Sequence, residues 1–405
     1  MSLLPLDPSP TSVRAASRAT YAAFIGAGFV FASWAARIPQ VRDGLHLNSS
    51  ELGLVLLAVA AGSIIALPLA GPVVGRFGSR KTVASMAVLL AVGLAITAVG
   101  YLSGVLPVVI GLFLLGFANG AWDVAMNVQG ALVERQLGRS IMPRYHAGFS
   151  IGTVAGALVS AAMVATGVPV TAHLGAVAAV AAVTVPLAVR RFIPDHATDE
   201  PATDDAPASE VPVNSWAAWT ERRTLLIGVV VLAFAFAEGT ANDWISIAVI
   251  DGYHAPAAVG TLGFALFLAA MTAGRWLGPR VLDRHGRVPV LRALTLLALI
   301  GLLLFVFGGV TPVAFVGAAL WGLGTSLGFP VGMSAGADDP ARAASRVSVI
   351  ASIGYCAFLA GPPLIGFLGH HITVLRALTA GAVLLGVAAL LAGNVRPPQR
   401  SESSS

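Results

Sequence analysis

GPVVGRFGSRKTV at 71–83 and PRVLDRHGRVPVL at 279–291 are variants of one phrase. Each joins a long apolar run to the next through a short turn rich in glycine and arginine. At the same offset Arg76 matches Arg284 and Gly78 matches Gly286. Other echoes follow: GLFLLGFANG at 111–120 returns as GAALWGLGTS at 317–326, and SIG at 150–152 returns at 352–354. A membrane chain with this kind of internal repeat has two related bundles with a site between them at mid-membrane.

Composition fixes the medium. Of 405 residues, 57% are hydrophobic and only 11% are charged, against about 25% charged in soluble domains. Apolar runs of about 20 residues recur, the length that crosses a hydrocarbon layer of roughly 30 Å as a helix. Twelve spans are expected, near 19–39, 50–73, 82–101, 105–133, 145–167, 170–190, 223–249, 256–280, 288–308, 311–336, 344–368 and 371–394. With the N-terminus inside, all 24 basic residues except Arg37, Arg42 and Arg376 fall on the cytoplasmic side, as the positive-inside rule requires. Arg275 is counted in that inner set, in the group at 275–292. Both termini are then cytoplasmic. Basic charge spread over loops in this way excludes nucleic acid as a partner, although the net charge is +5. The acidic, proline-bearing stretch at 192–221 reads as a disordered linker. Arg14 and Arg18 precede an apolar segment too long for a signal-peptide core, so that segment is expected to be a retained helix. A lone Cys356 offers neither a disulfide nor a thiolate metal site.

The repeated phrase resembles the loop motif Gly-x-x-x-Asp-Arg-x-Gly-Arg-Arg/Lys of the major facilitator superfamily. The second copy supplies Asp283, Arg284, Gly286 and Arg287, with Gly278 one place further back than usual. The first supplies Gly71, Arg76, Gly78, Arg80 and Lys81 but has Gly75 where the aspartate belongs. The resemblance covers almost the whole chain. It implies an all-α membrane protein of 12 transmembrane helices in two pseudo-symmetric six-helix bundles, with these loops as gating elements. In the family, the loop aspartate ties the cytoplasmic ends of the bundles together in the outward-open state, a lock the first copy lacks. Within the superfamily, DVAMN at 123–127 is similar to the L-fucose:proton symporter branch and its relatives near rhizopine-cluster membrane proteins, where an acid is followed by x-Ala-x-Asn. That implies that Asp123 handles a proton or the substrate. The branch has a second acid in its first span. Here SWAARIPQV at 33–41 has Ala35 in that place and Arg37 two residues on, so a two-acid scheme does not carry over unchanged.

The residues give their own reading. Gly116, Asn119, Gly120, Asp123, Asn127 and Gly130 recur at helical spacing and make one small, polar stripe. A carboxylate at the bilayer centre costs about 2.5–3.5 kcal/mol on insertion scales, so the stripe faces a cavity or a neighbouring helix. Asp123 is then either a transport group or a packing hydrogen bond. In FAEGTANDWISIAV at 236–249, Glu238 falls at mid-depth, with Asn242 and Ser246 above it. Asp243 lies about 140° around the helix from Glu238. The expectation is a coupling pair split between the halves, Asp123 with Glu238 or Asp243; the bland alternative pairs one of the latter acids with Arg37 as an outer gate. Candidate solute contacts are Asn119, Asn127, Trp34, Arg37, Asn242 and Ser150, although Arg37 could equally snorkel to headgroups and Trp34 simply pack.

Other signals dissolve. GFSIG at 148–152 matches a hydrolase pattern, but that motif needs a strand-turn-helix elbow; here Gly148, Gly152 and Gly156 read as helix-packing residues, as do Gly328, Gly332 and Gly336. No nucleotide-binding loop is found, and the adjacent His370 and His371 lack further metal ligands. The chain is therefore expected to be no enzyme and to use no cofactor or metal. The expected function is secondary active transport of a small sugar- or polyol-like solute by alternating access, coupled to protons, in the inner membrane of a bacterial cell. A proton-coupled drug or metabolite exporter is the alternative. The partners are solute, protons and lipid, with no obligate protein. The expected divisions are a tail at 1–18, bundles at 19–191 and 222–395 joined by the linker at 192–221, and a tail at 396–405.

Overall fold

The computed structural model describes residues 10–195, 215–339 and 342–397. Those residues are helical, with no strand among them, and twelve segments are long and apolar enough to cross a membrane. Helices are what a bilayer permits, because each backbone N–H and C=O must find its partner inside the segment. Residues 10–195 and 215–397 belong to two separate compact units.

In the first unit, α1 (Pro10–Ala35) and α2 (Ile38–Gly44) form one span broken at Ala36 and Arg37, followed by α3 (Ser49–Phe77), α4 (Ser79–Gly100), α5 (Val105–Leu137), α6 (Met142–Ala165) and α7 (Val170–Val189). In the second, α8 (Arg222–Tyr253), α9 (Ala257–His285) and α10 (Arg287–Phe307) precede a span broken into α11 (Thr311–Thr325) and α12 (Gly328–Gly336). Next come α13 (Ala343–Ile372) and a last span of α14 (Val374–Ala377) and α15 (Thr379–Leu391). The starts are set locally. Asn48 and Glu51 form a reciprocal capping box at α3, the Asn48 side chain accepting from the Glu51 N–H at 3.0 Å and the Glu51 carboxylate from the Asn48 N–H at 2.9 Å.

The sequence repeat is written into the backbone. One glycine separates α3 from α4, and one separates α9 from α10: Gly78 at φ +83° and Gly286 at φ +80°. Glycine takes that left-handed conformation without a Cβ penalty, so the chain reverses within a single residue. Packing repeats as well. In the first unit α5 lies against α3 and α4, α1 against α6, and α4 against α7; in the second α11 lies against α9 and α10, α8 against α13, and α10 against α15.

Small residues make these approaches possible. A Cβ on Gly116 would fall 2.0 Å from the carbonyl oxygen of Val59, and one on Gly152 would fall 2.1 Å from that of Ile25. Helices in lipid gain little from hydrophobic exclusion and associate by such close contact. GFSIG thus lies inside α6, its glycines pressed on α1. Phe192 and Ile193 are buried, and Ser215–Trp219 forms a 3-10 turn, so order extends into both ends of the segment expected as linker. Residues 196–214, 1–9 and 398–405 lie outside the described residues.

Candidate functional site

Asp123 stands just past the middle of α5 and is exposed. Its stripe explains the direction. Gly116 and Gly120 meet Val59 and Ser63 of α3, and Gly130 meets Met142 and Tyr145 of α6. Asp123 therefore leaves α5 on the side between α3 and α6, away from α4 and α7. Asn127, one turn on, donates from Nδ2 to the Asp123 carboxylate at 3.2 Å and to its carbonyl at 2.8 Å. That leaves one carboxylate oxygen with no partner among the described residues. Asn119, one turn before, is half-buried on the same side.

The other first-unit candidates are packed away. Arg37 is buried, donating from Nε to Nδ1 of His173 and from a terminal nitrogen to the Val168 carbonyl, each at 3.0 Å. It therefore neither snorkels to headgroups nor lies open to solute. His173, not foreseen from the sequence, accepts on Nδ1 and so carries its proton on Nε2, which is buried without a partner. Trp34 is buried too. Ser150 is buried with its hydroxyl turned back on its own helix, to the His146 carbonyl at 3.3 Å.

In the second unit α8 is sealed from Ala233 to Val249 except at four residues: Glu238, Gly239, Asn242 and Asp243. They fall on one side of the helix. A lipid-facing opening would be lined by leucines and valines; this one is polar. Glu238 is not free, since both its oxygens accept from one terminal nitrogen of Arg275 on α9, at 2.9 and 3.1 Å. Arg275 lies nearly three turns before the end of α9 at His285, inside the span and not in the basic loop beyond it. That corrects its place in the inner set. Its Nε and other terminal nitrogen have no acceptor among the described residues. Asn242 Oδ1 is buried without a partner, and Asp243 has none either.

The two loop motifs are held differently. Arg287 donates to Asp338 at 2.6 Å and to Ser334 at 2.8 Å, and Arg223 binds the second Asp338 oxygen at 2.8 Å. Asp283 and Arg284 are exposed at the end of α9. In the first copy Gly71 and Gly75 face open space, Arg80 is exposed and Arg76 lies 5.6 Å from the centroid of the Phe77 ring. An acid from elsewhere serves here. Asp195 accepts the Ser79 N–H and, at 2.6 Å, its hydroxyl, capping α4. Gln129 donates to the Ser79 oxygen at 3.0 Å and pairs with the Ile193 backbone, accepting its N–H at 3.0 Å. At the start of α8, Glu221 accepts from Arg346 at 2.6 Å and from Arg342 at 3.2 Å. Arg346 foremost holds its carboxyl down to about 2.

The family model of the Major Facilitator Superfamily matches residues 19–356. The chain belongs to this superfamily. An uncharacterized MFS-type transporter of Yersinia pestis is 31% identical over 92% of both chains. Membrane protein MosC of Rhizobium meliloti is 29% identical over 87% of this chain and 83% of its own. Among solved structures, the nucleoside transporter NupG superposes with TM-score 0.73 at 15% identity, covering 94% of this chain and 98% of its own. The fucose:proton symporter FucP, in the outward conformation, superposes with TM-score 0.60 at 15% identity over 93% and 99%. At that identity the likeness establishes the fold. As a superfamily member the protein is a multi-pass membrane transporter of the 12-helix type, and its relatives are transporters, not enzymes.

Proposed function

We propose that this protein moves a small polar solute across the inner membrane of a bacterial cell by alternating access, coupled to protons that Asp123 and Asp243 take and release. The observation that carries the reading is Asp123: a carboxylate inside a membrane-spanning helix, exposed, with one oxygen unclaimed and amides a turn away on either side. Such a group is costly in a bilayer unless it meets water or a ligand. Asn119 and Asn127 both donate and accept, which suits a hydroxylated, sugar- or polyol-like solute. In the second unit Asp243 takes the proton role, because Glu238 is occupied by Arg275. Two fold neighbours, a nucleoside transporter and a fucose:proton symporter, support the same class. On this reading both termini are cytoplasmic, bundles at 19–191 and 222–395 are joined by 192–221, and Asp283 and the Arg287–Asp338 pair belong to gating. No protein partner is required. The test is uptake driven by an imposed pH gradient in proteoliposomes, wild type against Asp123→Asn; uptake by the variant at the wild-type rate would remove the proposal.

A further inference from the structure

The polar opening on α8 contains more than an acid awaiting a proton. Glu238, Asn242 and Asp243 are accompanied by a guanidinium from α9, where no other basic residue lies within a turn of Arg275 on that helix. The pair is accessible: the Glu238 and Arg275 side chains retain 20% and 29% exposure. The hydrogen bonds are lopsided. Glu238 occupies a single nitrogen of a five-donor fork. The remaining Arg275 donors and the Asn242 Oδ1 acceptor have no partner among the described residues.

We propose that Arg275 is the solute-recognition residue of the second unit, that the solute carries a carboxylate and hydroxyls, and that Glu238 is the resident counter-ion this carboxylate displaces. The inference rests on the transporter reading above and narrows its substrate class. A guanidinium is built for two parallel hydrogen bonds to a carboxylate, a geometry Glu238 leaves unmade. Glu238 stays tethered to α8 when it is displaced, so the incoming carboxylate adds one negative charge to the site, and a proton bound together with the solute is what offsets it. A phosphate dianion would lack the second cation it needs. A solute hydroxyl donates to Asn242 Oδ1, which an aliphatic acid could not do.

The experiment is a thermal-shift titration of the purified full-length protein with D-gluconate, D-galacturonate and L-lactate, each beside a neutral counterpart: sorbitol, D-galactose and 1,2-propanediol. At least one acid stabilises the wild type while its neutral counterpart does not. Glu238→Gln, which removes the competitor, lowers the apparent Kd for that acid about tenfold. Arg275→Lys raises it, and Arg275→Gln abolishes the shift. Because Arg275→Gln leaves Glu238 unpaired and could misfold, the neutral pair Glu238→Gln/Arg275→Gln is measured beside it and also shows no shift. The proposal is overturned if no acid stabilises the protein, if the neutral compounds stabilise it equally, or if the shift survives in the double variant. Proton-driven uptake of a neutral polyol that still requires Asp123 would overturn this inference and leave the transporter reading standing.

Discussion

Glu238 on α8 and Arg275 on α9 form an ion pair inside the membrane-spanning region, both carboxylate oxygens resting on one terminal nitrogen at 2.9 and 3.1 Å. Each charge makes the other tolerable there, and removing one strands its partner. Glu238→Ala is therefore expected to destabilise the protein by about 2–3 kcal/mol, below the ~3–5 kcal/mol of a fully sealed pair because both side chains keep some exposure. The double variant Glu238→Gln/Arg275→Gln should lose less than half as much. Chemical denaturation in detergent measures both; equal losses would mean that the charges do not depend on each other.

Helix packing makes a second, sharper contrast. A methyl group on Gly116 meets the Val59 carbonyl oxygen at 2.0 Å, whereas one on Gly71 meets nothing within 4 Å. Gly116→Ala should cost about 1–3 kcal/mol by forcing α5 from α3. Gly71→Ala should leave the melting temperature within a degree or two. Any loss of transport in a stable Gly71→Ala protein would then report on gating and not on folding.

Glu221 gives a pH signature away from the spans. Its carboxyl is held at about 2, against an ordinary 4.5, chiefly by the hydrogen bond from Arg346. A depressed folded value means that the stabilisation is complete above the ordinary value and is lost as pH falls through the folded one. Wild type should exceed Glu221→Gln in stability at pH 6 by about 1–2 kcal/mol. The gap should close between pH 5 and pH 2. Melting curves of both proteins over that range decide it, and a gap that stays constant would assign the difference to shape instead of charge.

Much of this architecture was legible in the sequence. The spans were legible because a bilayer forces apolar runs into helices, and Gly78 and Gly286 stood out because they fall at the same place in the two copies of the repeated loop. The Asp123 stripe was legible because helical spacing fixes which residues share a face. The pairings were not. Arg37 finds His173 across the whole first unit, and Ser79 finds Asp195 only after four intervening helices; helical spacing says nothing about either. Arg275 left a usable signal, since the span expected at 256–280 already contained it, yet the count of basic residues assigned it to the loop. The broken first span also hid the fate of Arg37. A basic residue near a helix end suggests snorkelling, but the break at Ala36 and Arg37 turns this one into the unit.

The central claim is that Asp123 carries the coupled proton, and proton movement tests it more directly than uptake alone. Proteoliposomes loaded with a pH-sensitive dye would be challenged with the solute that stabilises the purified protein, in parallel with solute counterflow, which needs no net proton transfer. Asp123→Asn should keep counterflow within a few-fold of wild type while solute-evoked proton movement disappears. A variant that still moves protons with solute as wild type does would contradict the account.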